Sequence, residues 1–230
     1  MYRYFYLCFD QIYYAYVLPT AEYAENCEAH KRRLINLGGN PTDSSYTVDV
    51  DGPGPLVSVR LFCNMTANPA ITVIKTDKAG GKIITTGDKG TPTQPYTEDI
   101  KYVPNLKTAK ALARNSEACK QYIDFGCKGA RLLNAGGKDK TGYWVASNGL
   151  FKYYWGGAPP SMESCACGVN KTCSDKSKMC NCDARDNVWR RDHGWLTSTS
   201  DLPVTQVVFS DVKEGEANFS VGALFCTGEM

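Results

Sequence analysis

Five cysteines stand within eighteen residues, at Cys165, Cys167, Cys173, Cys180 and Cys182, with no histidine among them. Thiols at this density either cross-link the chain or bind metal. A thiolate zinc site usually takes C-x₂-C pairs, often with histidine. Here the pairs are C-x-C, so the segment reads as a disulfide-stapled loop and no metal is assigned. One intervening residue strains a disulfide, so C-x-C neighbours are expected to take other partners.

Other chemistry is thin. The chain has two histidines, His30 and His193. Both sit among basic residues and read as surface side chains. No Ser-His-Asp spacing or G-x-S-x-G elbow is present. Gly80-Gly81 and Gly136-Gly137 suit turns rather than a phosphate cradle. The chain therefore reads as a non-enzyme without a cofactor. Tyr153, Tyr154 and Trp155 form an aromatic loop suited to a binding face, because aromatic rings bury much area beside one polar end.

The 230 residues are 43% hydrophobic and 22% charged, enough to bury a core without staples. Eleven cysteines in such a chain then point to an oxidising, secreted setting. Three sequons agree, at Asn64, Asn170 and Asn218. A net charge of +2 argues against nucleic acid as a partner. The charge is uneven: residues 101–140 carry a net +6 and residues 201–230 a net −4. The basic stretch could face an acidic glycan or an acidic neighbour chain.

Residues 1–24 read as a signal peptide or a retained aromatic arm. They are rich in Tyr, Phe and Leu and contain Cys8, but Asp10 interrupts the run. No segment is long and apolar enough to span a bilayer. Residues 25–230 read as one domain.

Several elements must position these groups. A basic helical stretch runs over 28–37 and stops at Gly38-Gly39. Strands are expected over 46–50 and 56–65, around the Asp51-Gly52-Pro53-Gly54-Pro55 turn. Segments 71–76 and 82–86 read as a hairpin about Gly80-Gly81, and 88–98 as a loop. Apolar residues at helical spacing, with Asn105 as cap, predict a long helix over 105–123. Cys119 and Cys127 bracket its end, and Gly126 would let the chain turn back so that they pair. Further strands are expected over 143–147, 203–212 and 219–226. Helices and strands are interspersed without a βαβ period, which predicts an α+β fold with mixed or antiparallel sheets.

Two regions carry a resemblance. YTVDVDGPGPLVSVRLFCNM (46–65) resembles the opening of a fibrinogen C-terminal domain. NSEACKQYIDFGCKGARLLN (115–134), YWGG (154–157), the cysteine cluster and LPVTQVVFSD (202–211) are similar to the fibrinogen-like domain of contactin-associated proteins, the neurexin-IV-like adhesion receptors. The resemblance implies a Cys27–Cys63 disulfide. The six cysteines Cys165, Cys167, Cys173, Cys180, Cys182 and Cys226 would then form three further bridges, in any of fifteen arrangements. It also implies an extracellular interaction domain for cell adhesion or matrix assembly, with a protein partner or self-association. A soluble glycan-recognising lectin and a subunit of a secreted filament are the alternatives. Where ficolin-type lectins hold calcium, this chain has Cys182-Asp183-Ala184-Arg185-Asp186-Asn187. Arg185 stands among the would-be oxygen ligands, so the lectin's sugar pocket is not carried over.

Overall fold

The computed structural model describes residues 4–9, 12–17, 23–84, 90–213 and 216–228. The fold is α+β and mostly antiparallel. Strands β1 (Tyr4–Phe9) and β2 (Ile12–Val17) pair in a hairpin of their own. Of the leader or arm expected over 1–24, residues 1–3, 10–11 and 18–22 lie outside the described residues.

The remaining elements follow in chain order. Helix α1 (Cys27–Asn36) is capped by the Asn26 side chain, which accepts from the Ala29 N–H at 2.9 Å. Next come β3 (Ser44–Val48), β4 (Val59–Asn64), β5 (Ile71–Thr76), β6 (Lys82–Ile83), β7 (Tyr96–Asp99) and β8 (Tyr102–Val103). Helix α2 (Leu106–Arg114) precedes β9 (Ala118–Cys127), β10 (Gly142–Val145) and β11 (Phe151–Lys152). The short helix α3 (Ala166–Val169) and a single 3₁₀ turn, Cys182–Ala184, lie in the cysteine-rich segment. Strands β12 (Arg190–Leu196), β13 (Gln206–Phe209) and β14 (Ala217–Thr227) complete the chain.

The large sheet has the order β12-β9-β14-β5-β4-β3, with β6 added to β14 and β8 to β5. A smaller sheet has the order β11-β10-β13-β7. The core lies between them. Phe125 of β9 and Phe219 of β14 point inward from the large sheet and meet Phe209 of β13, with ring centroids 4.6 and 5.8 Å away. Trp155, from the loop after β11, closes this cluster edge-on to Phe125.

The 105–123 helix is corrected. Asn105 does cap α2, accepting from the Thr108 N–H at 2.9 Å. The helix ends at Arg114, and Asn115 turns its amide onto the Val50 carbonyl at 2.8 Å. From Ala118 the chain is strand: Cys119, Gln121 and Ile123 are buried on one face while Lys120 and Tyr122 face the other. Over 118–123 the apolar spacing fits either period, and pairing with β12 and β14 decides for strand. The 71–76/82–86 hairpin is corrected too. Strand β5 pairs with β4, β14 and β8, while β6 crosses to β14.

Candidate functional site

Among the described residues ten cysteines form five disulfides. Cys27–Cys63 ties the start of α1 to β4. The expected Cys119–Cys127 bond is corrected: Cys119 pairs with Cys226 and Cys127 with Cys182. Both cysteines lie on one strand eight residues apart, which separates them by about 26 Å. Cys226 also leaves the cysteine-rich group, as does Cys182, so that group closes two bridges internally rather than three. These are Cys165–Cys180 and Cys167–Cys173. In each C-x-C pair the two members take different partners.

Two buried carboxylates fasten this cross-linked segment to the rest of the molecule. Asp192 of β12 accepts from the backbone N–H groups of Asn181 at 2.9 Å and Cys182 at 2.8 Å. Burial pushes its carboxyl up to about 6, against the opposing pull of those amides. Asp183 accepts four backbone N–H groups. Its Oδ1 takes those of Leu132, Leu133 and Asn134 at 3.0–3.1 Å, and its Oδ2 takes that of Ala135 at 3.1 Å. Composition gave no hint of either role. For Asp183 the signal was an aspartate beside Cys182, a pattern that equally suggests a metal loop.

The calcium-type segment does not fit calcium. The Asp183 oxygens are saturated by amides. Asp186 binds Arg190, with the Nε hydrogen bond at 2.8 Å, and Arg185 reaches Asp211 at 3.4 Å. A calcium cage needs six to eight free oxygens. Cys165, Cys180 and Asp192 come together, but the two sulfurs are bonded to each other and cannot act as thiolate ligands.

The aromatic loop turns inward. Tyr154 and Trp155 are 2% and 0% exposed, and Tyr153 alone is half-buried. Trp155 Nε1 donates to the Asp192 carbonyl at 3.0 Å, and the Tyr154 hydroxyl donates to Asp201 at 2.9 Å. Burial, and then the Asp201 carboxylate, raise the Tyr154 hydroxyl far above its usual range. The reason for the inward turn lies in Gly156. A side chain there would meet Gly194 of β12 at 2.3 Å, so the loop backbone lies directly against the strand and carries its aromatics under it. The sequons differ in setting. Asn170 is exposed after α3, Asn64 is half-buried at the end of β4, and Asn218 is half-buried in β14 with its side chain against Gly126.

The histidines form no site. His30 is half-buried beside Tyr46, and its ring is held low by burial and then by Arg33. His193 is exposed and meets the Tyr122 hydroxyl at 2.5 Å. Tyr122 also lies edge-on to Trp195, which lies edge-on to Phe225. These three rings belong to the outer face of the large sheet, and sequence reasoning missed them as a group because they come from three distant strands.

No family model matches the chain. Contactin-associated protein 1 of Homo sapiens is 36% identical over 230 residues, covering 97% of this chain and 16% of that protein. The Rattus norvegicus and Mus musculus proteins of the same name are each 37% identical over 210 residues, or 90% of this chain. The chain is homologous to a segment of contactin-associated protein 1. It spans about a sixth of the length of those relatives. Its antiparallel sheets, few short helices and five disulfides agree with the fibrinogen-like resemblance. Among the described residues no helix is long and apolar enough to cross a membrane, and the disulfides fit an extracellular domain.

Proposed function

We propose that the chain is a non-enzymatic extracellular interaction domain that binds a protein partner. The carrying observation is the homology to contactin-associated protein 1 along nearly the whole chain. That relative associates, by its name, with contactin, so a contactin ectodomain is the partner to test. The site chemistry supports the reading. Asp183 and Asp192 hold backbone amides, His193 meets the Tyr122 hydroxyl and His30 packs beside Tyr46. The lectin reading loses its calcium loop to internal hydrogen bonds and ion pairs.

Surface-immobilised contactin ectodomain should retain the disulfide-intact chain in buffer containing a calcium chelator, and should release it after reduction. Retention on glycan columns that requires calcium, with none on contactin, would overturn this function in favour of the lectin.

A further inference from the structure

The large sheet shows its two faces by alternation. Inward residues of β9 are buried, while Lys120 and Tyr122 point away from the core. The register carries that outward face across five strands. Trp195 lies opposite Tyr122, Lys120 opposite Phe225, Phe225 opposite Val73, and Val73 opposite Phe62. The result is an apolar row running across the sheet from β12 to β4. Phe62 is 40% exposed and Trp195 38%, and the row opens beside Phe225 and Lys120 into a shallow depression of about 260 Å³. Solvated strand faces are ordinarily polar. A contiguous apolar row on one marks a contact surface.

The unpaired charges on this face have one sign. Arg60, Lys75 and Lys120 are exposed, and among the described residues none pairs with a carboxylate. Lys120 instead sits over the Trp195 ring at 4.8 Å. The one acidic side chain pointing outward from the described strands of this sheet is Asp124, and it is held by Arg191, with Nη2 at 2.8 Å. A second copy docked through the same face would set these cations against their own kind.

We infer that the outer face of the large sheet, centred on Trp195, Phe225 and Phe62, docks a protein surface whose apolar ridge is bordered by Asp or Glu side chains. This deepens the proposed function and rests on it for the partner's being a protein. Buried aromatics anchor such a contact, and the flanking cations set its orientation and encounter rate.

The test uses the full disulfide-bonded chain and three probes: contactin ectodomain, a short peptide alternating Phe or Val with Glu, and vesicles of anionic phospholipid. A Lys-for-Glu copy of the peptide is the control. The variants are Phe62→Ser with Trp195→Ser, and separately Lys75→Glu with Lys120→Glu, each checked for an unchanged far-UV circular dichroism spectrum and unfolding midpoint. The Glu peptide should bind about ten-fold tighter than its Lys copy, and each variant should lose about ten-fold towards the Glu peptide and contactin. Glu-peptide binding that the variants abolish, without any contactin binding, would sink the contactin partner and support the face. Contactin binding that the variants leave intact would overturn the face and support the partner. Equal binding of the two peptides, or vesicle binding stronger than peptide binding, would also overturn it.

Discussion

Cys119 of β9 lies directly across from Cys226 of β14, their Cα atoms 4.2 Å apart, so a covalent bond joins the two strands that share the most contact in the large sheet. The close spacing is that of a non-hydrogen-bonded antiparallel pair, where side chains approach most nearly. The two residues are 107 apart in sequence, and the bond Cys127–Cys182 lies inside that loop and shortens it. On loop-closure entropy, replacing Cys119 and Cys226 by Ser should cost about 4 kcal/mol, against about 2 kcal/mol for the six-residue loop of Cys167–Cys173. Urea titration of the two double variants would check the order. Equal losses would show that loop length does not govern their contributions.

Asp183→Asn should destabilise the domain by about 3 kcal/mol, because one amide oxygen replaces a carboxylate that serves four N–H groups. Hydrogen exchange should rise at Leu132 to Ala135 before it rises in β9. Added calcium should leave the melting temperature of the parent chain unchanged.

Trp155→Ala should cost about 3–5 kcal/mol and loosen the aromatic core. Its effect on partner binding should follow the fraction of folded protein. A variant with parental stability and lost binding would return the aromatic loop to the surface.

Asp192 has a folded-state value of about 6, above its ordinary unfolded value near 4. The folded chain therefore holds a proton that the unfolded chain releases in this window. Its contribution favours folding fully at and below about pH 4 and is lost as pH rises through about 6. The full swing is roughly 2–3 kcal/mol. Asp192→Asn should remove this slope, which would appear as a pH-dependent difference in unfolding free energy between parent and variant from about pH 4 to about pH 7. A pH-independent difference would refute the assignment.

Among the sequons, Asn170 should be glycosylated and Asn218 should remain bare when the protein is secreted from animal cells. Asn170 is exposed, whereas the Asn218 side chain lies against Gly126 in the middle of paired strands. Peptide mass analysis after deglycosylation would read both sites. Full occupancy at Asn218 would show that this strand forms after glycan transfer.

Local signals in the sequence gave much of the fold. The cap at Asn105, the strand at β4 and the late strands β13 and β14 all rest on patterns contained within each segment. Long-range pairing was not legible. Residues 118–123 suit a helix in isolation, and only the partners β12 and β14 make them strand. That one error also misplaced Cys119 and Cys127. The aromatic loop failed for a different reason: sequence shows that Tyr154 and Trp155 can bind, but not that Gly156 lets their backbone slip against β12. The outer-face rings of Trp195, Tyr122 and Phe225 are scattered over about a hundred residues, so no window of sequence contains them together.

Gly156 and Gly194 face each other so closely that a side chain on either would strike the other's backbone, at 2.3 and 2.6 Å. For anyone building variant libraries on this scaffold, the pair behaves as a single locked position. Changing one residue cannot be rescued by shrinking its neighbour, because the neighbour has nothing left to remove. Diversity introduced in the loop after β11 should therefore leave Gly156 and Gly157 unchanged, and alanine at Gly156 or Gly194 will report backbone collision rather than lost recognition.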